Sequence, residues 1–99
     1  MPEYILKLFI TGQIGRSHLA VQNLRRICEE ALSGRYDLEV IDVLEQPQRA
    51  EDHQILATPT VVKEAPAPAR RIIGDLSDSG KVLLGLDLTP VAGAKGGRP

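Results

Sequence analysis

The sequence predicts an α/β domain with a strand–helix–strand unit at its N-terminal end, and three stretches carry that prediction. "YILKLFI" (Tyr4–Ile10) is mostly apolar on both faces, residues 18–32 carry an apolar stripe at spacings of three and four, and "DLEVIDVL" (Asp37–Leu44) is a second β-prone run. A strand covered on both sides loses the strict alternation of a half-exposed one, as interior strands of parallel or mixed sheets do. Strand, helix and parallel strand in this order connect through a right-handed crossover.

In the first strand Leu6, Leu8 and Ile10 share one face, and Ile5, Lys7 and Phe9 share the other. "TGQIGRS" reads as a loop, with Ser17 placed to cap the following helix. Ala20, Leu24, Ile27, Cys28 and Ala31 form that helix's buried stripe, while Arg25–Glu29 and Arg26–Glu30 pair at i,i+4 on its wet side. Gly34 stands where a helix ends. Pro47 suits the first turn of a short second helix, which should end near Leu56 because Thr58, preceding Pro59, is pushed toward extended geometry. "TVVKE" then reads as an antiparallel strand, "APAPAR" as a stretch whose pairing Pro66 and Pro68 interrupt, and "RIIGDLS" as a short hairpin strand turning at Gly74 and Asp75.

The run "SDSGKVLLGLDLTP" (Ser77–Pro90) fits two structures. Val82, Leu84, Leu86 and Leu88 alternate with Leu83, Gly85, Asp87 and Thr89 as in a half-buried strand, yet Val82, Leu83 and Leu86 share a helical face. As a helix capped by Ser77 it lacks the Glu or Gln of a capping box, since Gly80 stands there. Gly85 would then sit in the helix interior, at a cost of about 0.8–1.0 kcal/mol relative to Ala. As a strand it includes Gly85 and Asp87, both poor β formers. Local terms leave both structures open.

The totals narrow the class of function. Ninety-nine residues, 42% hydrophobic, make one core and not two. Two of the 12 basic residues, Lys95 and Arg98, lie in the Gly-rich stretch 91–99, which leaves residues 1–90 with 10 basic against 13 acidic side chains. That balance offers no electrostatic reason to bind nucleic acid or an anionic membrane. A single cysteine, Cys28, excludes an internal disulfide, a cysteine-rich zinc site and a CxxC redox pair. The start "MPEYILKLFI" has no basic segment of a signal peptide, so a cytoplasmic protein is expected. Residues 1–90 are expected to form the domain and 91–99 a disordered tail.

"YILKLFITG", "LEVIDVLEQPQRAEDHQILATPT" and "RRIIGDLSDSGKVLLGLDL" together resemble the KaiB family, small adaptors of the bacterial circadian clock, over about residues 4–89. The resemblance implies a thioredoxin-like domain of order βαβαββα, or alternatively an oligomeric ground state with the same N-terminal half in which residues 82–88 form a strand. It implies a non-catalytic protein, monomer or homo-oligomer according to fold, that binds the N-terminal ATPase ring of a KaiC-type protein and competes there with a sensor kinase. Matching positions make Lys7, Arg70 and Arg71 partner-binding residues. Pro59, Pro66, Pro68, Gly85 and Asp87 become fold-switch residues, with a cis bond at Pro59 in the thioredoxin-like form. No cofactor or metal is implied.

Departures from the family pattern are Pro66-Ala67-Pro68 for three prolines, Gly80 for Glu, Leu19 and Gln54 for basic residues, and Glu39 for Lys. The reversed charge at Glu39 puts KaiA-like or kinase binding in doubt. A thioredoxin-like enzyme is the first rival reading, but thiol exchange needs an activated thiolate at the first helix's N-terminus, and Cys28 lies well down that helix. Ser17 could stand in for the thiol, yet no second domain is expected to hold an acceptor. His18 and His53 are far apart and lack a ligand cluster. A general stress or signalling adaptor on the same fold is the second rival.

Overall fold

The computed structural model describes residues 3–12 and 14–90. The elements run β1 (Tyr4–Ile10), α1 (Gly15–Leu32), β2 (Tyr36–Asp42), α2 (Pro47–Asp52), β3 (Thr60–Ala65), β4 (Arg70–Ile73) and α3 (Ser79–Gly85). They build one four-stranded sheet in the order β2-β1-β3-β4. The β1–β2 pair is parallel, whereas β1–β3 and β3–β4 are antiparallel. The expected order βαβαββα is therefore present, and residues 91–99 lie outside the described residues.

Helices cover both faces of the sheet, which is why β1 is apolar on both. Leu6, Leu8 and Ile10 meet Ala20, Leu24, Ile27, Cys28 and Ala31 of α1, together with Val61, Val82, Leu86 and Leu88, in the main core. On the other face Phe9, Ile41 and Val62 form a smaller cluster closed by Val43, Ala50 and Ile55. Burial of each large aliphatic side chain contributes about 1.5–3 kcal/mol.

Several boundaries differ from the sequence expectation. Ser17 does not cap α1: the helix begins three residues earlier than expected, at Gly15 with Ile14 as its N-cap, and the buried Ser17 hydroxyl accepts the Thr11 N–H at 3.2 Å. The hydroxyl thus fastens the loop to the first turn. Strand β2 stops at Asp42, whose Oδ1 accepts the Leu44 N–H at 2.9 Å and turns the chain. Helix α2 ends at Asp52 and not near Leu56, because Gln54 takes a left-handed φ of 55°.

The ambiguous run is helical. Asp78, not Ser77, is the N-cap of α3, and its carboxylate accepts the Lys81 N–H at 3.1 Å. One residue's displacement of the cap makes Gly80 the second helical residue and removes any conflict with a capping box. Gly85 is the last helical residue and not an interior one. Beyond it Asp87 adopts φ 57°, the Asp87 N–H donates to the Leu84 carbonyl at 3.2 Å, and the Leu88 N–H donates to the Leu83 carbonyl at 2.8 Å. This pair of reversed bonds is a Schellman ending, with Leu88 buried beside half-buried Leu83 as its apolar contact. The apparent strand alternation of 82–88 is thus a short helix followed by a left-handed turn that drives Leu86 and Leu88 into the core.

Gly85 also has a steric role: a Cβ there would lie 2.7 Å from Ile72 Cδ1 and 3.2 Å from its Cγ1. Overpacking costs about 1–3 kcal/mol, more than the roughly 0.8–1.0 kcal/mol of helix propensity gained by Ala. The contact opposes the gain expected from propensity, and whether Ile72 can turn aside decides the sign. Gly85→Ala should lower the thermal midpoint, and adding Ile72→Val, which removes Cδ1, should recover most of the loss. Equal midpoints for Gly85→Ala and the parent protein would show that Ile72 swings away at no cost.

Candidate partner-docking surface

On the sheet face away from α1, period-two alternation brings charged side chains of neighbouring strands together. Lys7 of β1 sits between β2 and β3, its Nζ 3.1 Å from Glu64 and 3.7 Å from Glu39, with its side chain only 17% exposed. Glu39 also takes a two-pronged hydrogen bond from Arg49 of α2, one arm at 2.8 Å. The planar guanidinium matches the carboxylate, so this pair ties α2 to the edge strand β2.

His53, immediately after α2, joins the same network. Its ring tilts against Phe9 with centroids 5.1 Å apart, Nδ1 lies 3.0 Å from the Arg49 carbonyl, and Nε2 lies 2.7 Å from Glu64. The Arg49 hydrogen bond holds the Glu39 carboxyl below its ordinary value of 4.5, against a smaller opposing effect of burial. Burial tends to raise the Glu64 carboxyl, yet hydrogen bonds from His53 and Lys7 outweigh it and leave the group lowered.

Arg71, on β4, completes the surface. Its two terminal nitrogens donate to the carbonyls of His53 at 2.9 Å and Gln54 at 3.2 Å. These carbonyls close the C-terminal end of α2, so the guanidinium meets oxygens with no helical partner. Beside Arg71 lies an open groove of about 810 Å³ walled by Pro47, Ala50, Ile55 and Leu56. Leu56 is 96% exposed, and Ile73 on the same edge strand is 62% exposed. The result is a trough of mixed lining at the free side of β4, apolar along Pro47, Ala50, Ile55 and Leu56 and polar at Glu51, Gln54 and the positioned Arg71.

The eight residues singled out in the sequence do not converge. Lys7 and Arg71 share the α2 face, but Lys7 is engaged by two carboxylates and does not project freely. Arg70 and Arg71, adjacent in the chain, alternate across the sheet: Arg71 pairs with Val62 and Arg70 with Lys63. Pro59 is buried at the start of β3, and its bond to Thr58 is cis. Pro66 and Pro68, also cis, occupy the exposed β3–β4 connection. Gly85 and Asp87 end α3 on the opposite side of the sheet. Glu39, Arg49, His53 and Glu64 were missed as a group, since their contacts join three elements; their signal was the alternation that places Glu39 and Lys7 opposite each other in register.

Cys28 is fully buried, and desolvation, then Glu29, push its thiol up to about 12. At the β1–α1 loop the side chains that meet are hydroxyls, with Thr11 and Thr58 oxygens 2.7 Å apart. Among the described residues no three His, Cys, Asp or Glu side chains cluster as metal ligands, and no helix is long and apolar enough to cross a membrane.

Residues 7–88 match the KaiB domain model. The "Circadian clock protein KaiB3" of a Synechocystis strain is 54% identical over 90 residues, covering 91% of this chain and 88% of that protein. A "Circadian clock oscillator protein KaiB" of Prochlorococcus marinus is 59% identical over 85 residues, covering 86% and 81%. Among solved structures, the N-terminal domain of Synechococcus elongatus SasA superposes with a TM-score of 0.71 at 27% identity, covering 88% of this chain and 86% of that one. Mitochondrial thioredoxin 3 of Saccharomyces cerevisiae gives 0.69 at 18% identity, covering 88% and 79%. The fold is thioredoxin-like.

The lowered carboxyls make the docking of α2 sensitive to acid. A depressed folded-state pKa contributes stability that is present above the unfolded value and lost as pH falls through the folded one. Denaturation midpoints should therefore hold steady down to about pH 5 and fall below 4.5, the ordinary value of these groups. The double variant Glu39→Gln/Glu64→Gln should show a flatter decline; an unchanged slope would assign acid sensitivity to other carboxylates.

Proposed function

The chain belongs to the KaiB family, and from that premise we propose that it is a non-catalytic clock adaptor that docks on the N-terminal ATPase ring of a KaiC-type protein. The observation that carries this reading is the trough beside β4, where Arg71 is fixed by the His53 and Gln54 carbonyls next to exposed Leu56 and Ile73. A rigid cation flanked by apolar surface is the composition of a binding hot spot, and preorganisation lowers the entropy lost on association. The open edge of β4 adds unpaired backbone groups to the same surface.

Likeness to the SasA N-terminal domain supports competition between this chain and a sensor kinase for one partner surface. The Arg49–Glu39 pair supports a reading without a KaiA-like partner, because the acidic residue on β2 is already committed within the molecule. Non-catalytic action is consistent with the inert Cys28 and the hydroxyl-lined first loop. We also assign Gly85 and Asp87 to a conformational switch. They set the end of α3, the segment whose sequence accommodates a strand equally well, and a ligand selective for one state draws the population to it.

The direct test is affinity for the host's KaiC-type ATPase, measured with ATP and with ADP. Arg71→Ala should weaken binding by about tenfold or more while leaving the thermal midpoint nearly unchanged, and Leu56→Asp should do the same from the apolar wall. Failure of the parent protein to bind in either nucleotide state would remove the clock reading and leave a general adaptor. For the switch, backbone chemical shifts of residues 77–89 over a dilution series should show helix at low concentration and a strand signature that grows with concentration. Helix throughout would eliminate the switch without touching the docking surface.

A further inference from the structure

Among the described residues Lys63 is the one charged side chain in the interior. It lies on β3 opposite Leu6 and Arg70, two residues after the core residue Val61, and it is fully buried. Its Nζ is sealed from solvent, and among the described residues no atom hydrogen-bonds to it. Alternation along β3 points Lys63 to the side of Val61 and Leu6, the face that carries the main core. That face is shared by two helices: α1 packs against the β2 side, and α3 packs against β4. After α3 the chain returns across the sheet, where the Thr89 N–H donates to the Tyr4 hydroxyl at 3.1 Å, next to Leu6 on β1. Lys63, between β1 and β4, thus lies on the face that α3 and the Leu86–Thr89 return cover.

An ammonium removed from water without a partner is unfavourable, whatever the packing of its methylenes. The arrangement can relieve this by uncovering the amine, and the element that covers it is also the shortest helix on that face, seven residues long. We propose that Lys63 is a release device for the C-terminal helix: its unpartnered amine lowers the free-energy cost of lifting α3 and the 86–89 return off the sheet. The proposal adds a driving group to the switch assigned above and rests on that reading for its purpose, but its physical content concerns the isolated chain and requires no partner.

Hydrogen exchange by NMR tests it on the isolated protein. In Lys63→Met, which keeps the length and apolar body of the side chain, the amides of Val82 and Leu86 should exchange about tenfold or more slowly than in the parent, a change of 1.4 kcal/mol in opening. Amides of Leu8 and Leu24 should slow no more than those of α3. Unchanged or faster exchange in α3 overturns the proposal. A second measurement needs no variant: during amine labelling of the parent protein followed by mass spectrometry, Lys63 should react at the rate at which α3 opens, far slower than exposed Lys81. Labelling of Lys63 as fast as Lys81 would show that it is not covered. Neither readout involves the ATPase, so loss of partner binding and loss of this device are separately visible.

Discussion

Everything in this molecule is arranged around β1, a strand that must be covered on both faces. Its inner positions Leu6, Leu8 and Ile10 demand one apolar layer and Phe9 demands another, while its backbone pairs with β2 on one side and β3 on the other. A central strand with no free edge and no wet face fixes the layer count at three. It also decides that the single polar residue within it, Lys7, must find carboxylates from both neighbouring strands.

The two covering layers are held by different physics. On the α1 and α3 side the core is large and apolar, and the buried amine of Lys63 lies on that face without a hydrogen-bond partner among the described residues. On the α2 side the apolar cluster is small, and a lattice of charge-assisted hydrogen bonds among Lys7, Glu39, Arg49, His53 and Glu64 supplements it. Because that lattice lies near the surface, it contributes more to geometry than to stability. Its product is a fixed C-terminal end of α2, and hence a fixed guanidinium at Arg71. On the opposite face α3 ends in a left-handed turn at a non-glycine residue, Asp87.

Relation to thioredoxins extends to the backbone and stops at the chemistry. The cis bond before Pro59 and the β1–α1 loop sit together as the Thr11–Thr58 contact attests, but the loop supplies hydroxyls where a thiolate would be required. The sole cysteine is buried within α1 and raised to about 12. A shared backbone therefore does not carry the chemistry with it, since function resides in sites and not in the fold.

By itself the sequence determined the element order, because each element's cause is local. Two-faced apolarity marked β1, three-and-four spacing marked α1, and Pro47 and Pro59 bracketed the stretch containing α2. The motifs of residues 4–89 were also specific enough to indicate the family. What only the tertiary structure decided depends on partners distant in the chain. Residues 79–85 became helix and 86–88 its left-handed ending because Val82, Leu86 and Leu88 find the core; the cap moved to Asp78; and Ile72, thirteen positions away, stands against a Cβ at Gly85. Arg70 and Arg71 read as a pair in the sequence but lie on opposite faces of an edge strand. The Arg49–Glu39 and His53–Glu64 contacts, and the isolation of Lys63, likewise required the register of four strands, for no local pattern states which charges a fold will bring together or leave alone.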